Sequence, residues 1–302
     1  MLDTSLKGTD LTPFIARVEC GRLRFFAQVT GEENPLFSDE AMAQARGYPS
    51  LPLPPTFLFC LEMAGPRPME IYERLRVNYA HVLHGEQHFV YHRLAFAGQT
   101  LRFKPRIADL YEKKGGALGF IVWETRVEAS SGAPVADLRS VMIVRPPPPG
   151  SRRPAPHATA AVAEGGLPDL VAGPITRHQL GLYAGASGDY NPLHIDIDHA
   201  RRAGMPDVFA HGMLSAAYLA RMLTRRVEPA ALRRLSVRFA AITHIGDEVH
   251  CRARVSSQHV EQGEARWTLA LTAGNQTGET KLTGTAVVAA AAADSFMIDR
   301  LP

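Results

Sequence analysis

One stretch of this chain is written twice, and the repeat constrains the fold more than any other feature. "TGEENPLF", Thr30 to Phe37, returns as "SGDYNPLH", Ser187 to His194, at a shift of 157 positions. Without a gap, the same shift lays Phe26-Ala27 on Tyr183-Ala184, Asp39 on Asp196, Gly47 on Gly204 and Pro49 on Pro206. Further on, LAFAGQTLRFKPRI matches FAAITHIGDEVHCRARV with Gly98 over Gly246. Two copies are too few for a solenoid and point to a duplicated domain. Between them, Val144 to Gly166 reads VRPPPPGSRRPAPHATAAVAEGG, a proline-stiffened linker. The expected division is therefore 1–145, a linker over 146–166, and 167–302, and a chain of 302 residues has room for two cores.

Both halves have the same layout. A short helical segment carrying the turn motif is followed by a second helix, PPTFLFCLEM in one half and HGMLSAAYLARML in the other. The latter is apolar nearly all round, as a buried helix is. Alternating, β-rich segments complete each half: QHFVYHRLAF, TLRFKPRIADLYE, LGFIVWETRVEA and PVADLRSVMIVR, then LSVRFAAI, DEVHCRARVSSQ, ARWTLALTAG and KLTGTAVVAA. A buried helix wrapped by an antiparallel sheet, twice over, makes the fold class α+β.

The repeat also separates what shapes the backbone from what serves chemistry. The motif glycine, Asn-Pro-Leu and the Asp39/Asp196 pair persist in both copies, so they are read as turn and helix-cap residues. Asp189 and His194 face Glu32 and Phe37 instead, substitutions that keep a fold but remove a carboxylate–imidazole pair. Five residues apart across a turn, such a pair suits general acid–base work, since imidazole titrates near neutrality. A second asymmetry lays Pro54-Pro55 on His211-Gly212. A glycine amide at a helix start can donate to a developing oxyanion, whereas proline has no N–H.

Composition removes several function classes. With 46% hydrophobic and 21% charged residues the chain is ordinary globular, and a net charge of +3 is too small to imply nucleic acid. Cys20, Cys60 and Cys251 have no paired spacing and read as free thiols of a reducing compartment. No secretory signal opens the chain and no apolar run approaches the roughly 20 residues of a membrane helix. A soluble, cytoplasmic protein is expected.

YAGASGDYNPLHID followed by AGMPDVFAHGMLSAAYLA closely resembles the MaoC-like (R)-specific enoyl-CoA hydratases, whose motif runs Gly-Asp-x-Asn-Pro-Leu/Ile-His. GEENPLF, LPPTFLF and HGEQHFVYHR resemble the FAS1-like dehydratase domain fused ahead of such units. The resemblance implies two hotdog domains in one chain and a single working site. Asp189 and His194 would be the catalytic dyad and the Gly212 amide an oxyanion donor, with Asn191 shaping the site beside His211. The implied reaction adds water to, or removes it from, a 2-enoyl thioester of coenzyme A or an acyl carrier protein, giving an (R)-3-hydroxyacyl product. No cofactor or metal is called for, no nucleic acid or membrane partner is expected, and a homodimer is compatible but not demanded.

Other readings stand beside this one. A hotdog thioesterase would use a carboxylate against the thioester carbonyl, and a non-catalytic acyl-thioester-binding subunit would use neither side chain. His194, Asp196, Asp198 and His199 would share a face and ligate a metal if extended, but the HARRAG that follows looks helical. Eight arginines between Arg201 and Arg238 read mostly as a solvated basic face. Arg238, in an alternating segment, is the best single candidate among them for ligand contact.

Overall fold

In a computed structural model, residues 2–145 and 166–290 are described; apart from Gly166, the expected linker lies outside them. Ten strands form one sheet. The first half supplies β1 (Phe14–Arg17), β2 (Val82–Tyr91), β3 (Thr100–Lys113), β4 (Leu118–Ala129) and β5 (Pro134–Val144). The second supplies β6 (Gly166–Ala172), β7 (Leu232–Phe239), β8 (Val249–Glu261), β9 (Glu264–Gly274) and β10 (Thr280–Ala289). The order β1-β3-β4-β5-β2-β7-β10-β9-β8-β6 is antiparallel throughout, and the two halves meet at β2 and β7.

That seam carries the duplication in its register. Glu86 lies opposite Arg238 and Val90 opposite Arg234, with His88 opposite Ser236 between them. The offset that lays Gly98 on Gly246 also lays Glu86 on Arg234 and Val90 on Arg238. Each half therefore presents the same strand to the other about a local two-fold axis.

The helices of the first half are α1 (Cys20–Thr30), α2 (Glu40–Ala45), α3 (Phe57–Met63) and α4 (Glu70–Leu75). Those of the second are α5 (Arg177–Ser187), α6 (Ile197–Arg202) and α7 (Gly212–Thr224). α7 is buried along its whole length beyond Gly212 and lies against β6, β8 and β9. The matching α3 is shorter: it starts only at Phe57, after Pro54-Pro55, and stops before Gly65-Pro66. α1 packs on α5 and α7, and α3 on α5, so one apolar core runs through both halves. A satellite core lies under α4, built on Ile71, Tyr72, Trp123 and Met142.

The shared motif does the structural work expected of it. Gly31 and Gly188 end α1 and α5 in left-handed geometry, at φ of 65° and 77°. The Asp39 carboxylate accepts from the Ala41 and Met42 amides, and that of Asp196 from the Asp198 and His199 amides, capping α2 and α6. Two expected strands are displaced. β2 runs from Val82 and ends at Tyr91 rather than spanning 87–96, and β7 begins three residues ahead of Leu235, at Leu232. After Tyr91 the chain leaves the sheet, and the Ala95 carbonyl accepts from Leu53 instead.

Candidate active site

The turn after α5 is tied by its own side chains. The Asn191 carboxamide oxygen accepts the Leu193 amide at 3.1 Å, and an Asp189 carboxylate oxygen accepts the Asn191 amide at 3.2 Å. Asn34 and Glu32 make the equivalent bonds to Leu36 and Asn34. The acidic position thus has a backbone duty in both copies, which its substitution pattern alone did not reveal.

His194 is buried, and its Nδ1 lies 2.8 Å from the Phe209 carbonyl. A carbonyl only accepts, so Nδ1 carries the proton and Nε2 is left for the cavity. The His211 ring lies behind it, with ring centroids 4.0 Å apart. His211 Nε2 donates to the backbone carbonyl of Asp189 at 3.1 Å, holding the turn from the far side. Burial pushes the Asp189 carboxyl above its ordinary range, opposed by the His194 charge and the Asn191 amide. Burial likewise holds His194 below the usual imidazole value, opposed by Asp189 and the Phe209 carbonyl. His211 is held lower still, by burial and by His194. Burial thus favours the neutral form of all three groups, while Asp189 and His194 each support the charged form of the other.

Asp189, Asn191 and His194 line a cavity of about 260 Å³, together with Gly212. α7 begins there without a side-chain cap, so the Gly212 amide stands at an open, positive helix start. A Cβ on Gly212 would come within 2.9 Å of the Phe239 ring, so glycine is what lets the helix start approach so closely. His211 stands behind the wall. Arg238 is placed elsewhere: its side chain is 76% exposed on β7, 4.0 Å from Glu86, and it is not in the wall. Most of the other arginines are engaged within the chain, Arg225 with Glu33, Arg233 with Glu264 and Arg234 with Glu261.

Metal-type ligands do come together, but in a different set from the one the sequence suggested. Donor atoms of Asp189, His194 and His211 all lie within 4.8 Å of one another, a carboxylate with two imidazoles that could hold a divalent ion. Asp196 and Asp198 are not in that set, and the Asp196 carboxylate is occupied in capping α6.

The far wall has no signature in the sequence. Phe59, Tyr79, His84, Trp123 and Arg145 reach the cavity from the first half. His84 sits between Phe59 and Phe239, with Nε2 3.1 Å from Gln87 Oε1. A break in strand register beside it, between His84 and Glu86, is the sort of bulge that re-aims a side chain. Such residues carry no local pattern, because only the packing of one half on the other brings them here.

The first-half copy of the site is filled. Phe37 is fully buried where His194 would be. Arg221, from the last turn of α7, donates to the Thr30 carbonyl and, at 2.8 Å, to the Gly31 carbonyl, beside Glu32. Under the repeat the counterpart of Arg221 is Ala64, which packs closely against Gly188. An arginine plugs one turn where an alanine leaves the other open.

Ten strands wrapped around paired central helices, with a cavity lined from both halves, define a double-hotdog protein. Residues 5–138 match the FAS1-like dehydratase domain region and residues 162–275 the MaoC-like domain. The chain belongs to the MaoC-like dehydratase family, with a FAS1-like dehydratase region as its first half. A UPF0336 protein of Saccharopolyspora erythraea is 32% identical over 146 residues, 48% of this chain and 92% of that protein. The 3-hydroxyacyl-thioester dehydratase X of Mycobacterium tuberculosis is 27% identical, over 63% of this chain and 62% of its own. A solved MaoC-like dehydratase superimposes with a TM-score of 0.79 at 23% identity, over 94% of this chain and 98% of that one.

Proposed function

We propose that the protein adds water to a 2-enoyl thioester, and removes it in the reverse direction, giving an (R)-3-hydroxyacyl thioester of coenzyme A or a carrier protein. One observation carries the reading: Asp189, His194 and Gly212 line a single cavity. Asp189 and His194 Nε2 would hold a water against the β-carbon of the alkene. As the water oxygen bonds to that carbon, the pair takes its proton and the π electrons move onto the thioester carbonyl. The Gly212 N–H meets the resulting oxyanion, an interaction worth about 3–4 kcal/mol where such donors have been removed. Return of a proton to the α-carbon completes the addition, and the carbon–sulfur bond stays intact throughout. Asn191 holds the turn and His211 steadies it from behind. The relative named a 3-hydroxyacyl-thioester dehydratase supports the reading.

The test is loss of the conjugated-thioester absorbance when purified protein meets crotonyl-CoA and a longer 2-enoyl-CoA, with a thiol reagent present. Turnover of at least one without thiol release is expected. Thiol release in step with the absorbance change would make the protein a thioesterase instead.

A further inference from the structure

Arg145 follows directly on β5, where its backbone N–H donates to the His81 carbonyl at 3.0 Å. Its side chain is half-buried and lines the cavity on the first-half side, in a wall shared with Tyr72, Tyr79, Trp123 and Met142. Among the described residues the guanidinium has no ion pair and no hydrogen bond. Burial holds it below its usual range. The other cation of the cavity wall is the opposite case. Lys281 is met by Glu279 at 2.8 Å, Asp247 at 3.1 Å and the Ile242 carbonyl at 2.7 Å. Among the described residues, one charge in the wall is met from within the protein and one is not.

A guanidinium partly withdrawn from water without a counter-charge is unfavourable until an anion meets it, and its planar fork fits carboxylate and phosphate oxygens. We propose that Arg145 receives an anionic group carried by the thioester itself, so that the preferred substrate is charged at a second point; this rests on the enoyl-thioester reading above. Two parts of such a molecule offer that chemistry, a carboxylate at the end of the acyl chain and a phosphate on the carrier arm. The size of the cavity favours the first. About 260 Å³ takes a short acyl chain, not an arm extended as far as its phosphate. The aromatic wall would then flank the chain, with the guanidinium receiving its end.

Binding of saturated thioesters, which cannot be hydrated, tests this apart from catalysis. Calorimetry compares pentanoyl with glutaryl and hexanoyl with adipyl S-pantetheine, and pentanoyl S-pantetheine with its 4′-phosphorylated form. In the native protein the ω-carboxylate is expected to tighten Kd about tenfold or more, as bonds to a charged group do. Arg145→Gln is expected to bring the two Kd values of each acyl pair together, and Arg145→Lys to keep part of the gain. The same pattern in the phosphate pair, and not in the acyl pairs, would support recognition of an anion while assigning it to the arm. Uncharged ligands that bind, with no Arg145-dependent gain from either anion, overturn the inference and leave the hydratase reading standing. Failure of every thioester to bind removes both.

Discussion

His194 has one nitrogen to offer, because Nδ1 is taken by the Phe209 carbonyl, and its charge state depends on the carboxylate beside it. Burial lowers the imidazole and raises the carboxyl, while each supports the charged form of the other. The working state for water activation, carboxylate with neutral imidazole, forms as pH rises, so kcat/KM for hydration should climb along an acid limb and then level off. That limb belongs to the pair rather than to either group. Asn at position 189 removes the negative charge that favours the imidazolium, so the residual activity of Asp189→Asn should show an acid limb at lower pH than the native protein. Parallel pH profiles check this; an unmoved limb, or one moved upward, contradicts the pairing. At this scale the sequence was informative, because the repeat supplied an internal control: Asp189 and His194 differ where the turn residues do not. It was silent on Tyr79, His84 and Arg145, which come to line the same cavity as Asp189 and His194 only through packing between the halves.

Among the elements, α3 holds a second perturbed group. Glu62 accepts the Thr125 hydroxyl through one oxygen while the other is buried without a partner, and burial pushes its carboxyl up to about 7. The folded value lies above the ordinary 4.5, so the native state keeps a proton that the unfolded chain releases. Stability from this group is full below 4.5 and is lost as pH rises through about 7, a cost of about 3 kcal/mol by pH 8. Glu62→Gln keeps an acceptor for Thr125 without the charge. It should raise Tm clearly at pH 8 and little at pH 4; an equal change at both would show that the carboxyl is not titrating there. Strand positions were legible wherever alternation was clean: β4 falls on LGFIVWETRVEA throughout. β2 and β7 were misplaced because apolar residues continue past the point where the chain leaves the sheet, and their ends are set by pairing with β5 and β10. The four-residue β1, at one edge, is too short to declare itself.

For the whole molecule, the seam between β2 and β7 makes the two halves one sheet, and helices cross between them. We expect the connection through 146–165 to be dispensable once the protein has folded. A protease site placed within it should yield, after cleavage, two fragments that still elute together at the native volume and keep their activity; separation into two peaks would contradict a shared core. The duplication predicted two like halves. That one is sealed by Phe37 and Arg221 while it lends its wall to the other follows from the structure.

The most direct measurement of the central claim is hydration of crotonyl-CoA by Asp189→Asn and His194→Gln, each shown by circular dichroism and Tm to be folded like the native protein. The account predicts a fall in kcat of about 10²- to 10⁴-fold in each, the range a positioned acid–base group supplies. A folded variant of either kind that turns over at the native rate would contradict it.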